Sequence, residues 1–116
     1  MTAALKLNGQ YAIVSLSGDI DLHSSPEARR LILDGLQDGR PMLVDLGEVG
    51  YIDSSGVASL VEGFQLARQR GLDFGLVGVS PAALSVLRLA RLDKVFPIYV
   101  SVQERLRMLG SEPGSK

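Results

Sequence analysis

Asp53, Ser54 and Ser55 place one carboxylate and two hydroxyls on consecutive positions, with Gly56 directly after them. A short apolar run, Met42 to Leu46, leads to them through Gly47-Glu48-Val49-Gly50. Apolar residues at helical spacing, Val57, Leu60, Val61 and Phe64, leave them at once. The three polar groups therefore fall at a helix N-terminus, where unpaired backbone amides and the helix dipole favour negative charge. Two chemistries suit that position. One is a nucleophilic serine. The other is a serine that takes up a phosphoryl group and seats the resulting anion on the first-turn amides.

The nucleophile has little support. A G-x-S-x-G elbow is missing around Ser54 and Ser55. Its nearest imitation, Gly78-Val79-Ser80-Pro81-Ala82, puts proline where the oxyanion hole needs an N–H, so Ser80 reads as a helix cap. His23 is the sole histidine, and no spacing pairs it with either serine. As metal ligands, His23, Asp19 and Asp21 are too few, and the glycines at 71, 75 and 78 spell neither nucleotide-binding loop. No enzyme and no cofactor are expected. On spacing alone, Asp53-Ser54-Ser55-Gly56 is an ordinary capped helix start.

The elements that must position these groups can be read in order. Asn8-Gly9 between Leu5-Lys6-Leu7 and Tyr11 to Leu16 signals a hairpin, and Gly18-Asp19-Ile20-Asp21 is expected to break its second strand. Ser25-Pro26-Glu27 reads as an N-cap with proline at the first helical position. Ala28, Leu31, Ile32, Gly35 and Leu36 continue that helix, and Gly39 closes it. Met42 to Leu46 has the apolar character of a strand buried on both faces. The helix from Val57 ends at Arg68-Gln69-Arg70-Gly71; Phe74 to Val79 is the next strand. Ser80-Pro81 caps a third helix, Val95 to Val100 is a last strand, and Val102, Leu106 and Leu109 mark a final helix. The expected fold class is α/β: a small, mostly parallel mixed sheet of four or five strands, about four helices and an antiparallel N-terminal hairpin. Residues 1–110 form one domain, and 111–116 a mobile polar tail.

Composition bounds the function. The chain has 116 residues and no cysteine, which excludes thiol catalysis, disulfides and cysteine-built zinc sites. A net charge of −1 does not suit a nucleic-acid binder. The basic run Arg88, Arg91 and Lys94 reads as a solvated helix end. No apolar run approaches the roughly eighteen residues of a membrane span, and the N-terminus lacks the apolar core of a signal peptide. A cytoplasmic protein is expected, without direct membrane insertion and with monomer as the default state.

Several segments, in order and over nearly the whole chain, resemble the STAS domain, in particular the free-standing anti-sigma factor antagonists. They are Gly18-Asp19-Ile20-Asp21; Val44-Asp45-Leu46 with Tyr51-Ile52-Asp53-Ser54-Ser55-Gly56-Val57; Leu76 to Pro81; and Leu89 to Phe96. The resemblance implies a bacterial protein-binding module that regulates transcription by partner switching. Unphosphorylated, it sequesters an anti-sigma factor of the serine-kinase type; that kinase phosphorylates it, and a serine phosphatase resets it. By alignment the acceptor is Ser55, with Ser54 the alternative, and Asp53 and Gly56 support the site. The partner surface is expected to take in Asp19, Asp21, His23, Ser54, Ser59 and Glu62. The alternative implied by the same resemblance is a STAS accessory subunit of an ABC-type lipid or anion transporter.

Overall fold

The structure, a computed structural model, describes residues 1–110; the expected tail lies outside them. Strand β1 (Thr2–Asn8) turns through Gly9 and Gln10 into β2 (Tyr11–Ile20), the two pairing antiparallel from Thr2↔Ser17 to Asn8↔Tyr11. Asn8 is thus the last paired residue, and the turn sits one position later than Asn8-Gly9 suggests. Helix α1 (Ser25–Gln37) leads to β3 (Met42–Ile52), and α2 (Ser54–Gln69) to β4 (Phe74–Val77). Helix α3 (Pro81–Leu89), a two-residue β5 (Ile98–Tyr99) and α4 (Val102–Gly110) complete the described chain. The sheet order is β1-β2-β3-β4-β5, parallel from β2 onward.

Both strands that end at Asp53 and Asp21 are longer than the sequence suggests. Gly18 does not end β2. It takes φ +80° at a register irregularity, a backbone that costs glycine little, and the strand resumes to Ile20. Gly47 to Gly50 is likewise not a connection but the continuation of β3, which pairs with β2 as far as Ile20↔Ile52. The consequence is positional: the Asp19–His23 segment and the Asp53–Gly56 segment leave the sheet side by side.

Alternation of buried residues sends Val14, Leu16, Val44, Leu46 and Leu76 to one sheet face, where they meet Ile32 and Leu36 of α1, Leu60 of α2 and Leu87 of α3. Gly63 of α2 lets that helix close on its neighbours: a Cβ there would stand 2.5 Å from Ile32 Cγ2 and 3.1 Å from Phe74 Cε2. The opposite face carries Tyr11, Ile13, Leu43 and Val77, covered by Val102, Leu106 and Leu109 of α4. There Tyr11 Oη donates to Asp73 Oδ2 at 2.6 Å, and Arg105 Nη2 reaches the same oxygen at 2.9 Å while its guanidinium lies 4.6 Å from the Tyr99 ring centre. At the open edge of the sheet Met1 runs alongside Gly18.

Candidate functional site

Asp53 is the hinge between β3 and α2. Its backbone is still extended (φ −103°, ψ −173°), and its amide donates to the Ile20 carbonyl at 3.1 Å, which ties the β3 end to β2. Its Oδ1 accepts from the amides of Ser55 (2.9 Å) and Gly56 (3.2 Å). This is the side-chain N-cap that the sequence favours. It also corrects one expectation. The first-turn amides of Ser55 and Gly56 are not open to an incoming anion, because a carboxylate from the chain itself already holds them. The Ser54 amide is the first-turn donor that Asp53 leaves unengaged.

Gly56 is required by proximity. A Cβ at this position would stand 2.6 Å from Ile52 Cγ1 and 2.8 Å from Ile20 Cγ2. The first turn of α2 therefore rests directly on the ends of β2 and β3, and its position is set by the sheet.

Ser54 is exposed and Ser55 half-buried. Neither hydroxyl has a hydrogen-bond partner among the described residues. Four other described serines, Ser24, Ser59, Ser80 and Ser101, use their hydroxyls on the backbone, whereas Ser15, Ser17, Ser25 and Ser85 have no side-chain hydrogen bond among the described residues. Ser80 Oγ donates to the Val49 carbonyl at 2.6 Å and accepts from Ala83, and Ser101 Oγ accepts from Glu104. Ser59 Oγ donates to the Ser55 carbonyl at 3.2 Å. Ser59 is only 7 % exposed, so it does not lie on the outward face of α2, where the sequence reading put it. It faces the interior because position 59 follows Gly56 by three and precedes Gly63 by four, on the same stripe.

The Asp19–His23 loop stands beside this turn, with Asp19 paired to Tyr51 across the two strands. Asp19 and His23 are exposed. Asp21 is a structural residue. Its Oδ1 accepts from the amides of His23 and Ser24, both at 3.0 Å, while its own amide donates to Ser24 Oγ at 2.9 Å. These reciprocal bonds form a capping box ahead of α1. The Ser24 and His23 bonds hold the Asp21 carboxyl below its usual range. The expected cap, Ser25, is instead buried inside the first turn, and Pro26 follows it. Glu62 is on the surface but already committed: Arg29 of α1 grips it through Nε (2.6 Å) and Nη2 (2.7 Å), and these bonds lower its pKa.

Two residues near the serines were not part of the expected partner surface. Tyr51 is 51 % exposed and Leu22 is 68 % exposed. Their only sequence signal is an apolar side chain inside an otherwise polar junction. Asp19, His23, Ser54 and Ser55 thus form one surface with Tyr51 and Leu22 among them. It holds hydroxyls, carboxylates and apolar contacts, but no group of three His, Asp or Glu that could hold a metal ion among the described residues.

Comparisons with known proteins agree with this architecture. The STAS domain family model matches residues 2–105. The anti-sigma F factor antagonist of Paenibacillus polymyxa is 29 % identical over 75 % of this chain and 76 % of its own length. The anti-sigma-B factor antagonist of Bacillus subtilis is 24 % identical over 81 % of this chain and 86 % of its own. The crystal structure of an anti-sigma factor antagonist from Mycobacterium paratuberculosis superposes with a TM-score of 0.80, covering 92 % of each chain at 28 % identity. These relatives are regulatory binding proteins. A family match over all but the ends of the described chain decides the classification: the chain belongs to the STAS domain family.

Proposed function

We propose that the chain is a phosphorylation-switched anti-sigma factor antagonist. In its unmodified form it binds an anti-sigma factor of the serine-kinase type and so frees a sigma factor. The kinase moves a phosphoryl group from ATP to the Ser55 hydroxyl, with Ser54 as the alternative acceptor, releasing ADP and the hydroxyl proton. A serine phosphatase hydrolyses the ester and restores binding.

The observation that carries this reading is the idle pair of hydroxyls. Ser54 and Ser55 sit on a first turn fixed by Asp53 and Gly56, yet their hydroxyl oxygens bond to nothing in the fold. They can be modified without removing a structural bond. Phosphate adds roughly −1.5 to −2 charges. Because Asp53 already occupies the Ser55 and Gly56 amides, and Asp19 stands on the adjoining loop, that charge finds like charges beside it. Its cost falls on a partner that had docked against neutral hydroxyls, and about 1.4 kcal/mol suffices for a tenfold loss of affinity.

The test is intact-mass and phosphopeptide analysis after incubation with the serine-kinase anti-sigma factor and ATP. One phosphate on the wild type, retained in Ser54→Ala and lost in Ser55→Ala, is expected. Ser55→Asp should bind the kinase at least tenfold more weakly than wild type. A wild-type chain that takes up no phosphate, and that pulls down an ABC ATPase with its permease, would overturn the reading in favour of a transporter subunit.

A further inference from the structure

An apolar groove of about 630 Å³ runs between α2 and α3, and Ser54 lines its upper end. Its walls are Val57, Ala58, Val61 and the Arg29-paired Glu62 from α2, Val86 and Leu89 from α3, and Ala90 just past the end of α3. Leu89 is 84 % exposed, the most exposed large hydrophobic residue described, and projects from a helix whose other face is fully buried at Ala83 and Leu87. From Ser54 to Gln65, where the groove ends, α2 rises about 16 Å at 1.5 Å per residue. That is the length of about three helical turns.

The two ends carry opposite charge. Asp53 and Asp19 stand at the serine end. Arg68 lies one turn below Gln65, and Arg91 follows Ala90 at the end of α3; neither forms an ion pair among the described residues. The groove is therefore a polar-ended trough with an apolar floor. It is continuous with the proposed phosphosite, which makes its occupant the same partner.

We infer that this groove is the anchoring half of the partner interface. It takes an amphipathic helix of the serine-kinase anti-sigma factor, about three turns long. That helix presents an apolar stripe to Val57, Val61 and Leu89, an uncharged end to the unmodified serines and acidic residues to Arg68 and Arg91. The inference rests on the function proposed above and adds where binding is anchored. Ser55 gates the complex at one end, and the groove supplies apolar contact along its length.

Binding of the purified serine-kinase anti-sigma factor, followed by calorimetry, tests it. Leu89→Asp should weaken binding at least tenfold and Arg68→Glu several-fold, while Leu7→Ser on β1 should match wild type. Hydrogen exchange in the complex should slow over residues 57–65 and 86–90. If wild type itself fails to bind, the functional reading falls. If wild type binds and Ser55→Asp does not, but Leu89→Asp binds like wild type and protection stops at residues 19–24 and 53–56, the groove assignment alone is overturned. Sedimentation showing a wild-type dimer that Leu89→Asp dissolves would give the groove to a second copy and overturn it equally.

Discussion

Asp53 does two things with one carboxylate. It closes the amide end of α2, and it holds a carboxylate beside the proposed phosphosite. The two roles separate by substitution. Asp53→Ala should destabilise the domain by about 1 kcal/mol in urea titrations, whereas Asp53→Asn keeps a capping oxygen and should stay within a few tenths of that of wild type. Phosphorylation should then lower the melting temperature of the wild-type domain more than that of Asp53→Asn, because only the wild type sets a carboxylate against the phosphate. Equal shifts in the two proteins would show that the phosphate lies away from Asp53. The serine pair was legible in the sequence because Asp-Ser-Ser-Gly after a strand is a local signal. The fate of the amides was not, since either the capping carboxylate or a future phosphate satisfies the same spacing.

Among the elements, the sequence exposed periodicity and hid register. The hairpin, the α1, α2 and α3 patterns and the buried β4 all follow from apolar spacing and from the glycines and prolines at their ends. What escaped was the second half of β3. Gly47-Glu48-Val49-Gly50 has loop composition, and it is held extended only because β2 lies alongside it. Ser59 escaped for a related reason. A serine carries no sign of which face it takes, and here a bond to the Ser55 carbonyl makes burial tolerable. An interior glycine costs a helix by propensity alone, and the contacts of Gly63 supply its packing role. Replacing it by alanine gains helix propensity but forces a Cβ against Ile32 and Phe74. Gly63→Ala should therefore lose about 1–3 kcal/mol in chemical denaturation. A variant as stable as wild type would mean that the α1 and α2 backbones separate freely. Ser80→Ala removes a cap and leaves the buried Val49 carbonyl without its donor, a loss of about 1–3 kcal/mol by the same measurement.

For the whole molecule, the face of the sheet opposite the serines sets the response to pH. Burial, together with the hydrogen bond to Asp73 and its charge, pushes the Tyr11 hydroxyl up to about 12. An unfolded tyrosine titrates near 10. The folded pKa is the higher, so this contribution is complete below about pH 10 and is lost as pH rises through 12. Burial raises the Asp73 carboxyl, but the bonds from Tyr11 and Arg105 outweigh it and hold it below its usual range. Its contribution is present above the ordinary aspartate pKa and is lost as pH falls through the lowered value. Melting temperatures across pH should thus fall at both extremes, and Tyr11→Phe should flatten the alkaline limb. An alkaline limb unchanged in that variant would assign it to other groups. The same face bears on how the domain can be handled. Helix α4 departs on the side of the sheet away from α2, whereas Met1 lies against Gly18, next to the loop that flanks the serines. A reporter or bead tethered ahead of residue 1 would crowd the proposed docking surface, while one joined behind α4 would leave that surface clear.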